Sequence, residues 1–125
     1  MSIEDKLKEL GIELQTPASP VANYIPVQQT GNLIYLSGQG PRDEEGNFIT
    51  GKVGADISAE QAYDLSRNTA VNLISAMKSY LGSLERVEKI VKVFGMVNAT
   101  SDFTDHPKVI NGCSDFFVEV FGDKG

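Results

Sequence analysis

The residues best equipped for chemistry stand together at Ser37-Gly38-Gln39-Gly40. They supply a hydroxyl, a carboxamide and two backbone positions without a Cβ, so a small ligand or another backbone can come close. Tyr24, upstream, adds a phenol able to hydrogen-bond the same ligand. Together these groups suit the holding of a small polar molecule by neutral donors. The plainer reading of the run is a strand entering a turn, and of Tyr24 a half-buried ring with its hydroxyl in water. Two other side chains read as structural. Cys113, the one cysteine, falls inside an apolar helical stripe without the cationic neighbours of a reactive thiolate. His106, the one histidine, stands between Asp105 and Pro107, where a surface or capping role outweighs catalysis. No Ser/His/Asp arrangement assembles, and no metal is expected, because one Cys and one His make no ligand cluster.

Positioning these groups falls to the elements around them. Gly31-Asn32 is a turn pair that tolerates positive φ. Leu33, Tyr35 and Ser37 then alternate with Ile34, Leu36 and Gly38 as a strand, and Pro41 stops it. Tyr24–Gln29 alternates as a strand, with Tyr24, Pro26 and Gln28 on one side and Pro26 marking an edge or a bulge. Upstream, Ser2 with Glu4 and Asp5 opens a short helix whose Ile3, Leu7 and Leu10 share a face and which Gly11 ends. The expected place for it is over a sheet edge or a neighbouring subunit. Gln15–Ala22, with two prolines, is an extended connector. Arg42–Asn47 is an exposed acidic turn.

Ser58-Ala-Glu-Gln61 is a capping box that opens a helix of about twenty residues. Its expected apolar stripe is Ala62, Leu65, Thr69, Leu73, Met77 and Tyr80, laid on the sheet, with Gly82 as its stop. Lys89–Asn98 is the longest predicted strand, with Val91, Val93, Gly95 and Val97 on one face and Ile90, Phe94 and Met96 on the other. Both faces are largely apolar, yet one helix layer covers only one of them. A neighbouring subunit is the economical cover for the second. Pro107 fits the first position of a last helix, whose stripe is Val109, Ile110, Cys113, Phe116, Phe117, Val120 and Phe121.

Composition narrows the function classes. The 125 residues are 41% hydrophobic and 22% charged, ordinary for one globular domain spanning 1–125. The net charge is −6, and Lys and Arg are scattered without a basic stripe, which argues against nucleic acid as partner. MSIEDKLKEL has no signal-peptide core, no apolar run approaches the ~20 residues that cross a bilayer, and a lone cysteine suits a reducing compartment. The expectation is a cytoplasmic protein without a membrane partner.

Two stretches carry a family resemblance. GNLIYLSGQGPRD, residues 31–43 with Tyr24 ahead of it, resembles the hallmark segment of the RidA (YjgF, endoribonuclease L-PSP) family. KIVKVFGMVNATSDF, residues 89–103, resembles that family's later strand and loop, at the right separation. The resemblance covers about Tyr24 to Phe121, so the N-terminal helix at 1–14 is extra to the minimal pattern. It implies a chorismate-mutase-like α+β fold, a mixed sheet packed with two helices, assembled as a homotrimer with pockets between subunits. It also implies hydrolysis of reactive enamines and imines, such as 2-aminoacrylate, to 2-keto acids and ammonia, with no metal or cofactor. Some members carry a ribonuclease label, which the acidic charge disfavours here.

By the same resemblance the substrate-binding set is Tyr24, Ser37, Gly38, Gln39 and Asn111. The family's carboxylate-binding arginine lies on a strand beyond the point where this sequence stops, Gly125, and Arg42 is the nearest substitute by chain position. Without that strand two readings stand side by side. One is an imine deaminase acting on a small carboxylate substrate; the other is a non-catalytic trimeric binder of small ligands.

Overall fold

The computed structural model describes residues 1–16 and 22–125, so most of the connector expected at Gln15–Ala22 lies outside the described residues. The elements run α1 (Ile3–Glu9), β1 (Val27–Thr30), β2 (Leu33–Leu36), α2 (Ala59–Leu81) and α3 (His106–Phe121), with short 3₁₀ turns after α2 and α3. This is the expected α+β class. None of the helices among the described residues is long and apolar enough to cross a membrane.

Local chemistry explains the element ends. Ser58 accepts from the Gln61 backbone while Gln61 reaches back to the Ser58 N–H, satisfying two donors at the start of α2. Gly82, at φ 80°, takes a positive φ that a side chain would resist and ends it. Ser2 and Asp5 form the same reciprocal cap on α1. Helix α3 starts at His106, one residue before the proline expected to open it, and His106 sits edge-on to Phe103 at 5.2 Å.

Of the stripe expected on α2, Ala62 and Met77 are buried, but packing sets the rest of the buried face elsewhere. Its most buried residues are Ala62, Ala70, Ile74, Ala76 and Met77, whereas Leu65, Thr69 and Leu73 are half-buried and Tyr80 is 44% exposed. The cause is α3, the chief neighbour of α2, while β1 and β2 meet α2 more lightly. At the crossing, a Cβ on Gly112 would stand 2.1 Å from the Tyr63 carbonyl oxygen, so only glycine permits the approach. The main core joins Leu7, Ile74, Leu84, Cys113, Phe116, Phe117 and Phe121, and a smaller cluster joins Val53, Ala62 and Val109.

Helix α1 lies over α3 and the turn after α2, rather than over a sheet edge. Leu7 enters the main core, and Glu4 accepts from Lys78 Nζ at 3.0 Å and from the Leu84 N–H at 2.9 Å. Burial pushes the Glu4 carboxyl up, but these hydrogen bonds together outweigh it and hold it below its usual value.

The sheet is narrower than the mixed sheet expected. β1 and β2 pair antiparallel, Val27 opposite Leu36 and Thr30 opposite Leu33, and the other pairings among the described residues are isolated bridges. Lys89–Asn98 forms no ladder with them; its backbone is tied at its ends, by Ile90 N–H to the Lys124 carbonyl and by the Asn98 carbonyl to Val53 N–H. A strand needs a neighbour to pair its N–H and C=O groups, and periodicity alone cannot supply one. The expected faces are kept from Val93 onward but reversed at the start, where Ile90 is half-buried against the main core and Val91 is exposed. Val93 and Val97 are half-buried on the helices, and Gly95 lies against Ile110. Phe94 and Met96 point away, 77% and 85% exposed, with Val91 beside them at 74%.

Candidate functional site

Three of the predicted residues, Ser37, Gly38 and Gln39, follow directly on the second strand of the hairpin. Gly31 opens the two-residue turn at φ 56° and Asn32 keeps negative φ, the pattern of a II′ turn whose twist suits the strands. This turn fixes the register, and the register brings the far ends of β1 and β2 together. Ser37 N–H donates to the Pro26 carbonyl at 2.9 Å, and the Ser37 hydroxyl donates to the Ile25 carbonyl. Pro26 has no N–H to give, but its carbonyl still serves the pairing, so the proline closes the strand without breaking the contact.

Ser37 therefore stands opposite Pro26, two residues along from Tyr24, with its hydroxyl proton committed to Ile25 and its oxygen lone pairs still able to accept. Tyr24 is 47% exposed. A Cβ on Gly38 would meet nothing within 4 Å, so its backbone faces open space that a ligand can enter. Gln39 follows, half-buried.

Arg42 is anchored on the same loop. Its guanidinium lies 3.8 Å over the Phe48 ring, and Nη1 donates to the Gly46 carbonyl at 2.7 Å. Asp43 caps the tip by accepting from Asn47 N–H at 2.8 Å, while Glu44 and Glu45 are exposed, as expected of an acidic turn. Arg42 is thus a half-buried, oriented cation rather than a free surface one.

Asn111 is not brought to this cluster within the chain. It is exposed on α3, and α3 makes its contacts with α2 and α1 rather than with β1 or β2. A groove of about 220 Å³ lined by Pro26, Val27, Ala76, Ser79 and Tyr80 runs between β1 and α2 and includes none of the predicted residues. Cys113 is buried, and desolvation pushes its thiol up to about 11, which suits packing and not nucleophilic attack. Among the described residues no group of three or more His, Cys, Asp or Glu could hold a metal ion.

Two residues of this region were missed by sequence reasoning. Asn68 and Asn72, one turn apart on α2, hydrogen-bond the backbone of the loop: Arg42 N–H donates to Asn68 Oδ1 at 2.9 Å, and Asn72 Nδ2 donates to the Gly40 carbonyl at 3.0 Å. The available signal was the pair itself, since asparagine is a poor helix former and two of them in one stripe call for a partner.

Residues 4–125 match the family described as "YjgF/chorismate mutase-like, putative endoribonuclease". The chain belongs to this family. Protein TCP17 of Trypanosoma cruzi is 36% identical to this YjgF-family protein over 118 residues, 94% of this chain and 74% of TCP17. The crystal structure of a "putative endoribonuclease" from Shewanella oneidensis MR-1 superposes with a TM-score of 0.95 at 31% identity, covering 99% of this chain and 82% of that one. A protein of unknown function from Agrobacterium tumefaciens gives a TM-score of 0.88 at 36% identity, covering 98% and 75%. The fold implied by the two sequence stretches is therefore the fold of the chain.

Proposed function

We propose that this YjgF-family protein is a cytoplasmic imine and enamine deaminase that hydrolyses 2-aminoacrylate-type intermediates to 2-keto acids. The observation that supports the reading is the anchoring of Ser37 on Ile25 and Pro26, next to Tyr24 in the chain, with the open backbone of Gly38 following it. Such a site offers neutral donors and acceptors to a small planar molecule, with Arg42 as the cation for its carboxylate. The reaction asks little more than orientation. Water adds to the imine carbon, the nitrogen takes up a proton, the C–N bond breaks, and a keto acid and ammonia leave. A hydrogen-bonded water beside a fixed substrate gains most of its advantage from placement. Asn111 joins such a site from a neighbouring subunit of a homotrimer, since its own hairpin is out of its reach.

Charge favours this reading over a ribonuclease. The chain carries −6, and Arg67, Lys78 and Lys108 are taken up by Glu119, Glu4 and Glu60. These pairings, with the scatter of Lys and Arg along the sequence, leave a poor match to a phosphate backbone.

The test couples a serine or threonine dehydratase to the protein and follows the transient imine by semicarbazide trapping. Faster loss of trappable imine, with faster keto-acid release, is the expected result. Imine decay at its spontaneous rate would overturn the assignment. Cleavage of an RNA oligonucleotide without any effect on the imine would replace it with a ribonuclease.

A further inference from the structure

We infer that Asn68 and Asn72 are positioning residues: a two-amide clamp on α2 that sets the shape of the Gly38–Arg42 segment for ligand. The inference rests on the reading of that segment as the substrate site. Neither residue touches the open space beside Gly38; both act through the backbone that borders it.

The geometry has a definite polarity. Asn68 Oδ1 accepts from Arg42 N–H at 2.9 Å, and Asn72 Nδ2 donates to the Gly40 carbonyl at 3.0 Å. Asn72 Nδ2 also faces Asn68 Oδ1 at 3.5 Å, so the two amides orient one another along the helix. Both are half-buried, where a lost partner is costly because water replaces it poorly. The upstream anchor of the loop is Ser37, just past β2 and held by Ile25 and Pro26 just before β1, and the downstream anchor is this pair on α2. Gly38 and Gln39 are strung between them. With open space where a Gly38 side chain would stand, the placing of these backbone donors falls chiefly to the two anchors. A helix of 23 residues is a stiff mount for such a task.

The polarity supplies the experiment, because aspartate replaces asparagine with little change of shape. Asn68→Asp keeps the acceptor that Arg42 N–H and Asn72 require. Asn72→Asp removes the donor and sets a carboxylate against the Gly40 carbonyl and Asn68 Oδ1. We expect Asn68→Asp to retain turnover in the imine assay and Asn72→Asp to lose about ten- to a hundredfold in kcat/KM. Binding of 2-ketobutyrate, as probe, should weaken in the same order. Amide hydrogen exchange of Arg42 should quicken in Asn72→Asp and Asn68→Ala but not in Asn68→Asp, with the amides of the α2–α3 core unchanged.

Equal loss in the two aspartate variants, or wild-type kcat/KM in Asn72→Asp, would overturn the clamp. A wild-type protein that neither accelerates imine loss nor binds 2-ketobutyrate would overturn the deaminase reading instead. The exchange pattern then still decides the clamp, and unchanged Arg42 exchange in Asn72→Asp and Asn68→Ala rejects it.

Discussion

Cys113 illustrates how surroundings settle the meaning of a residue. Its sulfur sits in the α2–α3 core with Phe116 and Phe117, and burial pushes the thiol up to about 11. At pH 8 a group of that pKa is thiolate in roughly one part in a thousand, against about a quarter for a free cysteine. Modification of the native protein by an aromatic disulfide reagent at pH 8 should therefore run roughly 200-fold slower than after unfolding in urea, and steric cover slows it further. The native rate should climb steeply between pH 9 and 11, as deprotonation of the buried thiol sets in. Equal native and unfolded rates at pH 8 would show that the sulfur is accessible. Ser37 gives the converse lesson. Its hydroxyl proton is spent on the Ile25 carbonyl, so the side chain enters the site as an acceptor and a brace rather than as a nucleophile.

At the scale of elements, the fold depends on how closely α2 and α3 approach. Gly112 lets the Tyr63 carbonyl into the space a methyl group would fill. Ser66 Oγ meets Cys113 N–H at 3.0 Å one residue further along the crossing, and Arg67 pairs with Glu119 beside it. Gly112→Ala puts a methyl against helix backbone, which cannot swing aside as a flexible side chain can. The helices must separate, and the contacts around Ile74 and Phe116 open with them. We expect a loss of about 2–3 kcal/mol, despite the better helix propensity of alanine, read as a lower urea midpoint at unchanged slope. A stability within about 0.5 kcal/mol of wild type would mean that the crossing is looser than drawn. The same crossing explains why the hairpin touches α2 and not α3, and so why the substrate-site candidates fall in two groups.

For the whole molecule the open question is what covers Lys89–Asn98. Val91, Phe94 and Met96 stand out from the surface at 74%, 77% and 85% exposure. Burying such side chains is worth roughly 1.5–3 kcal/mol each, enough together to hold an association. On the proposed trimer, light scattering at micromolar concentration should give about three times the chain mass of 13.5 kDa. Phe94→Glu should shift the population toward single chains, because it would bury a carboxylate without a partner. A wild-type mass near that of one chain would defeat the trimer and, with it, the delivery of Asn111 to a neighbour's hairpin.

What the sequence determined by itself is local. Ser58 with Gln61, Gly82 and the Gly31-Asn32 turn set element ends, because a cap or a tight turn is satisfied within a few residues of the chain. The placing of Ser37 against Pro26 was legible for the same reason: a two-residue turn fixes the register of everything that follows it. The tertiary structure alone decided which face of α2 is buried, where α1 docks, and that Asn68 and Asn72 hold the loop. Those outcomes depend on partners far along the chain, and the 3.6-residue period admits several faces until a neighbour selects one. Lys89–Asn98 lies on the same boundary. Its apolar alternation was readable, but a strand exists only with a second strand to pair it, and that is a property of the assembled fold.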